Sequence, residues 1–279
     1  MGAWSAIRRR LVVAAAVAGV GFCGHAPPVA ASTGDELLPN LVTIGVQEDD
    51  LAVVRERGRT LLRFTTEVAN RGAGPLEVFP SAGSSNCDGD GDPTNDRDTS
   101  QRLFGDGNAN GAFDRGIDPV ASERSFGCMQ YHSAHEHWHV LDFAGYALRR
   151  EPSGRRVASA RKVGFCLSDD RLAFPAPSTP PGAVYPFGPP RSSGCDATAT
   201  EGISVGWSDI YFLALPGQAL PVEGLPPGRY CLIERADPDN LLTESDETDN
   251  VRRAGLRLRP GDLVVRLIDE PCRLGVSGR

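Results

Sequence analysis

The stretch TLLRFTTEVANRG, residues 60–72, decides the fold class of this chain. Apolar or β-branched residues recur in it at every second position, which is the period at which a β-strand presents side chains to one face of a sheet. An Asn-Arg-Gly turn at its end then stops the strand. The segment therefore predicts a strand, with one face formed by Leu62, Phe64, Thr66 and Val68.

Further short strands are predicted along the rest of the chain, and Gly and Pro are frequent between them. No long stretch shows the 3.6-residue period of an amphipathic helix. This pattern predicts an all-β fold, with a β-sandwich core, long irregular loops and little helix. The least regular region, Ser81 to Pro119, is predicted to be loop. The other predicted strands are Leu41 to Val46, Leu51 to Val54, Leu76 to Phe79, Trp138 to Leu148, Val157 to Leu167, Asp209 to Leu215, Tyr230 to Arg235, Arg253 to Leu258 and Leu263 to Ile268.

The first 31 residues have the three regions of a secretory signal. Three arginines at 8–10 precede an apolar run at 11–22, and small residues at 29–31 complete the pattern. The predicted organisation is a signal peptide at 1–31 and one β-sandwich domain at 32–279. No later stretch reaches the roughly 18 apolar residues of a membrane span. The cleaved chain is therefore expected to be secreted or periplasmic, with no membrane attachment.

The cleaved chain is also expected to be acidic. The whole chain carries a formal charge of −7, and loss of the three signal arginines makes it −7 − 3 = −10. A nucleic-acid partner is disfavoured, because no basic patch is present to neutralise phosphates. An acidic surface would instead attract cationic substrates.

Six cysteines remain once Cys23 of the signal is removed. In an oxidising compartment they are expected to form structural disulfides rather than to act as metal ligands or nucleophiles. Six cysteines can pair in fifteen ways, and their spacing does not choose among these. The six are Cys87, Cys128, Cys166, Cys195, Cys231 and Cys272.

Four of the five histidines fall within residues 132–139, and the fifth lies in the predicted signal. Such a cluster predicts a metal site, because a metal needs several neutral imidazoles that converge on one point. His135, His137 and His139 alternate and share one face of an extended strand, which must bend or bulge for one ion to reach all three. His132 is out of phase with these three and is predicted to contact the metal ligands without binding the metal. An all-imidazole set suits copper, zinc, iron or nickel, and not magnesium or calcium.

Two acidic runs lie in the predicted loop. DGNANGAFD, residues 106–114, matches the first half of a calcium loop, with oxygen-bearing side chains at positions one, three, five and nine and glycine at position six. It departs at the last position, where Ile117 replaces glutamate. The earlier run, CDGDGDPTNDRD, has Pro93 where glycine belongs. A solvated acidic loop without an ion is the alternative to calcium, and the candidate ligands are Asp106, Asn108, Asn110 and Asp114.

Lys162 is the single lysine among 29 basic residues, and the other 28 are arginine. Arginine cannot replace lysine where the amine must lose its proton and attack, because a guanidinium stays charged. A lone lysine in an arginine-rich chain therefore predicts a nucleophile, against the alternative that the residue survived by chance.

Three segments carry a resemblance to the lysyl oxidase family. HSAHEHWHVLDF at 132–143 resembles the WHSCHQHYHSMDEF-type copper site of that family, and RKVGFCLSDD at 161–170 resembles the segment around its cofactor lysine. EGISVGWSDIYFLALPGQALPVEGLPPGRYCL at 201–232 aligns without a gap with the stretch that bears the cofactor tyrosine. The similarity includes LLRFTTEVANRG upstream and ADPDNLLTESDETDN downstream, so it covers most of the chain after the signal.

The resemblance implies a copper-dependent amine oxidase with a lysine tyrosylquinone cofactor made from its own side chains. His135, His137 and His139 would bind copper. Lys162 and Tyr211 would become the quinone once copper and oxygen have oxidised the tyrosine ring. A primary amine such as peptidyl lysine would then leave as an aldehyde, with release of hydrogen peroxide and ammonia.

Two aspartates are candidates for the base of that reaction. Asp142 matches the family's aspartate just after the histidines, and Asp209 lies two residues before Tyr211, on the same face of a strand. Either could accept the substrate proton, and either could orient a histidine. Asp142 is predicted to take the orienting role.

The resemblance also bears on the disulfides. Ala134 replaces a cysteine of the family's histidine motif, and Cys195 aligns roughly with that cysteine's usual partner. Cys166 aligns with a cysteine that normally pairs nearby, so these two are predicted to pair with each other. The predicted bridges are Cys166 with Cys195, Cys87 with Cys128, and Cys231 with Cys272.

Two other classes of protein remain open. A secreted copper-binding protein that never forms a quinone would explain the histidines but not Lys162 and Tyr211. A β-sandwich adhesion module is suggested by DPDNLLTESDETDN at 237–250, which resembles bacterial cell-adhesion-related domains. That class does not explain the histidines.

Overall fold

The computed structural model describes residues 36–133, 137–161, 164–186 and 200–275. The predicted signal at 1–31 lies outside the described residues. All of the described residues belong to one compact unit, Ser32–Arg279. Within these ranges, no helix is both long and apolar enough to cross a membrane.

Strands dominate the regular structure of the described ranges, and the helices there are two single-turn 3-10 helices, Glu48–Asp50 and Pro260–Asp262. The predicted all-β class with little helix is therefore confirmed. The strands are β1 (Glu36–Leu37), β2 (Leu41–Ile44), β3 (Leu51–Glu56), β4 (Arg59–Phe64), β5 (Thr66–Asn70), β6 (Leu76–Pro80), β7 (Asp96–Gly105), β8 (Val120–His132), β9 (His137–Val140), β10 (Ala144–Arg150), β11 (Arg155–Arg161), β12 (Arg171–Leu172), β13 (Glu201–Ile203), β14 (Trp207–Tyr211), β15 (Ala219–Pro221), β16 (Gly228–Ala236), β17 (Val251–Arg259) and β18 (Val264–Ile268).

Within the described ranges, the strands form four antiparallel sheets. The first sheet has the order β13-β6-β7-β8-β9, with β1 also paired to β7, and the second has the order β11-β10-β16-β17-β18. The third sheet is β12-β14-β5-β2, and the fourth is β15-β4-β3. Strands β16 and β17 of the second sheet lie against β2 of the third, and β18 lies against β3 of the fourth. Sheets apposed in this way form the predicted sandwich.

One hydrophobic core draws on all four sheets. Phe64 of β4 is fully buried and meets Tyr146 of β10 edge to face, with ring centroids 4.8 Å apart. Met129 and Val140 of the first sheet and Val68 of the third sheet belong to the same cluster. Burial of side chains of this size contributes about 1.5–3 kcal/mol each, so the core is the main source of stability.

The segment at 60–72 forms two strands in place of the single predicted strand. The chain bends at Thr65, whose amide donates to the carbonyl of Asp50 at 3.0 Å. Because β4 and β5 lie in different sheets, this bend carries the chain from the fourth sheet to the third. The predicted inward face is confirmed, since all four of its residues are buried: Leu62, Phe64, Thr66 and Val68.

The prediction that Ser81 to Pro119 is loop is wrong. Strand β7, Asp96–Gly105, crosses this region and lies between β6 and β8 in the first sheet. Its sequence is mostly polar, so its hydrophobic pattern is too weak to indicate a buried strand. The polar side chains are paired instead: Gln101 exchanges two hydrogen bonds with the backbone of Thr243, at 3.0 and 2.8 Å. Contacts so distant in sequence leave no local signal.

Two of the predicted disulfides are confirmed. Cys87–Cys128 ties the residues before β7 to β8, and Cys231–Cys272 ties β16 to the residues after β18. Cys166 is also disulfide-bonded. Its predicted partner, Cys195, lies outside the described residues, so that pairing stays a prediction.

Candidate functional site

The histidine cluster lies on a hairpin of the first sheet. Strand β8 ends at His132 and β9 begins at His137, and these two residues pair directly across the ladder. His135 falls between them and lies outside the described residues. The single strand predicted from Trp138 to Leu148 is two strands, because the chain turns after β9 and Asp142 adopts a left-handed φ of 55°.

The rings of the described histidines converge. His137 and His139 alternate along β9 and share a face, and their Nε2 atoms lie 2.9 Å apart. Two imidazole nitrogens bound to one ion at about 2.0–2.1 Å would lie roughly 3 Å apart. The ring centroid of His132 lies 5.5 Å from that of His139. The half-buried His137 and His139 could therefore both bind one metal ion, with His132 beside them.

His132 lies on this face, although the two-residue period of a single strand predicted otherwise. Counted along one extended strand, it is out of phase with the alternating histidines. In the hairpin, however, His132 and His137 lie on two different strands and pair with each other. Residues paired across an antiparallel ladder point to the same face. His132 therefore stands beside His137. The sequence feature that could have indicated this pairing is the aromatic pair Tyr131 and Trp138. Their rings contact each other on the opposite face, with centroids 5.5 Å apart.

Lys162 lies outside the described residues, but Arg161 before it and Gly164 after it are described. The strand predicted from Val157 to Leu167 ends earlier, at Arg161, where β11 stops. The chain then joins the histidine strand: Val140 and Phe165 exchange both backbone hydrogen bonds, at 2.7 and 3.0 Å. The lysine segment is thus attached to β9 three residues after Lys162.

Gly164 lies directly against the ring of His139. A Cβ atom at this position would lie 2.7 Å from Nδ1 of His139 and 2.9 Å from its Cβ and Cγ atoms. Contacts under 3.0 Å would force the imidazole or the backbone at 164 to move. The small residue is therefore what allows the lysine segment to pack on the histidine face.

We expect Gly164→Ala to weaken the copper binding predicted for the histidines by about tenfold, because changes that merely disturb the orientation of a metal ligand cost this much. The measurement is a competition titration against a copper chelator. The matched control is Gly182→Ala, since a Cβ atom there meets nothing within 4 Å. Equal copper affinity in the two variants would show that the position of His139 does not depend on this contact.

Tyr211 is held at the same segment. Its hydroxyl donates to the carbonyl of Cys166 at 3.1 Å and accepts a hydrogen bond from the amide of the same residue. Its ring lies against Phe165, with centroids 4.4 Å apart. Burial raises the pKa of the Tyr211 hydroxyl well above its usual value, and the charge of Asp209 raises it further. The tyrosine hydroxyl is therefore hydrogen-bonded to a residue that follows Lys162 by four positions in the sequence.

Two buried carboxyl groups lie near Tyr211. Asp209 is 3% exposed, shares a strand face with the tyrosine, and acts electrostatically on its hydroxyl. Glu201 is fully buried, and its carboxylate accepts a hydrogen bond from the amide of Leu167 at 3.0 Å. Burial raises the pKa of Glu201 well above its usual value. Sequence reasoning missed Glu201, although it is the first residue of the segment that bears the tyrosine.

Asp142 occupies a different position from Asp209. Its side chain is 50% exposed and lies 3.9 Å from the guanidinium of Arg161, the residue before Lys162. Arg161 also forms a bidentate pair with Asp239. Asp142 and Asp239 thus both contact the last residue of β11, next to the lysine segment.

The residues predicted to bind calcium lie in the connection between β7 and β8, apart from the histidines. The side-chain amides of Asn108 and Asn110 donate to the carboxylate of Asp114, at 2.6 and 2.8 Å. Asp106 accepts hydrogen bonds from the backbone amides of Asn110 and Gly111, at 3.0 and 2.6 Å. The loop brings all four predicted side chains together, and hydrogen bonds within the loop join them.

Comparisons with known proteins identify the family of the chain. A family model described as lysyl oxidase matches residues 109–266, more than half of the chain. Protein-lysine 6-oxidase of Homo sapiens is 33% identical over 129 residues, which is 46% of this chain and 28% of that protein. Protein-lysine 6-oxidase of Sus scrofa is 33% identical over 129 residues, 46% of each chain. Lysyl oxidase homolog 1 of Homo sapiens is 30% identical over 128 residues, 46% of this chain and 20% of that protein. The match thus spans less than half the length of these relatives, and the family match over residues 109–266 shows that the chain belongs to the lysyl oxidase family.

Proposed function

We propose that this protein is an exported, copper-dependent amine oxidase that converts primary amines, such as peptidyl lysine, to aldehydes. Oxygen would be the acceptor, and hydrogen peroxide and ammonia would be released. The cofactor would be a lysine tyrosylquinone formed from Lys162 and Tyr211. The observation that carries this proposal is the hydrogen bonding of the Tyr211 hydroxyl to Cys166, on the segment that joins Lys162 to the histidine strand.

Copper would be held by His135, His137 and His139. The convergence of two ring nitrogens to 2.9 Å on one face supports this assignment, and the half-buried environment limits competition from water. His132 would orient this set from the facing strand. The bound metal would supply the redox chemistry with oxygen that converts the tyrosine ring to a quinone.

Residues of the chain would position the two cofactor side chains. The backbone of Cys166 fixes the Tyr211 hydroxyl, and contact with Phe165 fixes the plane of the ring. Pairing of Phe165 with Val140 brings the lysine segment to the same place. The lysine amine can add to an oxidised ring only after it loses its proton, which a guanidinium in its place would not do.

Asp209 is the better candidate for the group that accepts the α-proton of the substrate. It is buried and close enough to Tyr211 to raise the pKa of its hydroxyl, whereas Asp142 is half exposed and faces Arg161. A base must lie within hydrogen-bond reach of the proton that it removes. Asp142 would act by holding Arg161, and with it the adjacent lysine.

Charge and the predicted signal support the proposed substrate class and location. A net charge of −7, or −10 after removal of residues 1–31, would attract amines in their cationic form. The name of two of the relatives, protein-lysine 6-oxidase, supports peptidyl lysine as the substrate class. The signal supports export, where oxygen is available and disulfides are stable.

Peptide mapping by mass spectrometry tests the proposal. The chain would be prepared without metal, and one half would be incubated with copper in air and the other without copper. We expect the peptides that contain Lys162 and Tyr211 to run as one crosslinked, quinone-bearing species in the copper sample alone. Separate, unmodified peptides in protein that retains copper would contradict the amine oxidase and leave a copper-binding member of the family.

A further inference from the structure

The carboxyl group of Asp96, the first residue of β7, is buried and unpartnered. Its side chain is fully buried, and neither carboxylate oxygen has a hydrogen-bond partner of ordinary geometry among the described residues. The neighbouring cation, Arg97, donates instead to the backbone carbonyl of Asp96 at 2.6 Å. A buried carboxylate without a partner is strongly destabilising. It is therefore expected to have a partner that the polypeptide does not supply.

Two further carboxylates face the same point. One oxygen from each of Asp88, Asp90 and Asp96 lies within 4.8 Å of the other two. Calcium binds oxygen at about 2.3–2.6 Å, so two oxygens on opposite sides of one ion are up to roughly 5 Å apart. The three carboxylates are thus close enough to share a single ion.

The loop that carries these carboxylates is fixed in place. Asp88 accepts hydrogen bonds from the side chain of Gln130 at 2.7 Å and from the amide of Asp90 at 2.9 Å. The disulfide Cys87–Cys128 anchors the loop to β8. Because both nearby cysteines are bonded to each other, the donors left at this point are oxygens, which calcium prefers and copper does not.

The charge at this point is uncompensated. Among the described residues, no arginine or histidine forms an ion pair with Asp88, Asp90 or Asp96. Burial and the carboxylates of Asp88 and Asp90 raise the pKa of Asp96 to about 6. Three carboxylates held together without a counter-charge repel one another, and a divalent cation would remove that repulsion.

We propose that Asp88, Asp90 and Asp96 form a binding site for a divalent cation of the calcium class. The site is separate from the histidines and does not depend on the proposed oxidase activity. It lies beside them, however, because Asp96 pairs with Gln130 across the ladder, and Gln130 pairs with His139 on its other side. A bound cation would hold the ends of β7 and β8 from which the histidine hairpin emerges.

In the other acidic clusters of the described residues, each carboxyl group has at least one oxygen that accepts a hydrogen bond. The carboxylates of the 106–114 loop accept hydrogen bonds from within the loop. In the cluster of Asp237, Glu244 and Glu247, the first accepts from two backbone amides and the second from the amide of Leu41. Among these three clusters, Asp96 is the residue whose carboxyl group is buried with neither oxygen hydrogen-bonded.

The test is calcium binding by the full, copper-loaded chain, measured by calorimetry and by thermal unfolding with added calcium chloride. We expect the unfolding temperature to rise by roughly 5–10 °C at a calcium concentration one hundred times the dissociation constant. Asp90→Asn and Asp96→Asn should each weaken calcium binding by at least about tenfold, since each removes a charged ligand. Asp90 is exposed, so its variant is expected to fold even if the Asp96 variant does not.

Two control variants locate the binding. Asp114→Asn alters the second acidic loop and Glu247→Gln alters the third cluster, and both should change the calcium affinity by less than about twofold. Weakening by Asp90→Asn together with unchanged binding in these controls supports the site. Absence of calcium binding in the unaltered chain, or binding that Asp90→Asn leaves intact, overturns it.

Discussion

His139→Ala is expected to lower the copper affinity of this chain by at least about a hundredfold. Changes to groups that only orient a metal ligand cost about 10–100-fold in affinity, so removal of a ligand should cost more. The Nε2 atom of His139 lies 2.9 Å from that of His137, and its ring is the one that both His137 and His132 approach. His137→Ala should show a loss of the same size.

The measurement is a titration of the metal-free variants with copper against a competing chromophoric chelator. His132→Ala is the matched comparison, because it removes an imidazole from the same face, and we expect it to cost only about tenfold. A loss in His132→Ala as large as in His139→Ala would show that His132 is itself a ligand. Retention of full copper affinity by His139→Ala would refute the proposed metal site.

The fold class followed from local patterns, whereas the identity of single strands did not always do so. The alternation around Leu62 and Phe64 was sufficient to predict inward-facing strands, because burial of one face of a sheet leaves a period of two. Strand β7 left no such pattern. Its buried Gln101 is satisfied by Thr243, 142 residues away, so only the tertiary structure explains why a polar segment lies inside a sheet.

Some residues of the candidate site could likewise be predicted from local sequence, and others could not. Lys162 and the alternating histidines could be identified from composition and spacing, since both depend on residue type alone. The position of His132 depends on where the hairpin turns, and that of Glu201 depends on a backbone amide in another segment. Neither is encoded by the spacing of neighbouring residues.

Tyr211→Phe is expected to abolish both the crosslink to Lys162 and the oxidation of amines, with a loss of activity of at least about a thousandfold. Phenylalanine lacks the hydroxyl that a ring must carry to be oxidised to a quinone. The substitution also removes the two hydrogen bonds to Cys166, and the unpaired backbone groups should lower the free energy of unfolding by about 1–3 kcal/mol. Copper affinity should change by less than about threefold, because Tyr211 is not among the proposed ligands.

Three measurements on the same copper-loaded protein separate these effects: peroxide release with a primary amine, mass spectrometry of the Lys162 peptide, and thermal unfolding. Tyr230→Phe is the matched control, because it deletes a tyrosine hydroxyl that donates to the carbonyl of Pro226 at 2.6 Å. Tyr230 pairs with Arg150, at the opposite end of β10 from the turn at Asp142. The control should lose stability but keep its activity within about twofold. If Tyr211→Phe still released peroxide at the rate of Tyr230→Phe, the hydroxyl held by Cys166 would not be the source of the cofactor, and the proposed chemistry would have to be abandoned.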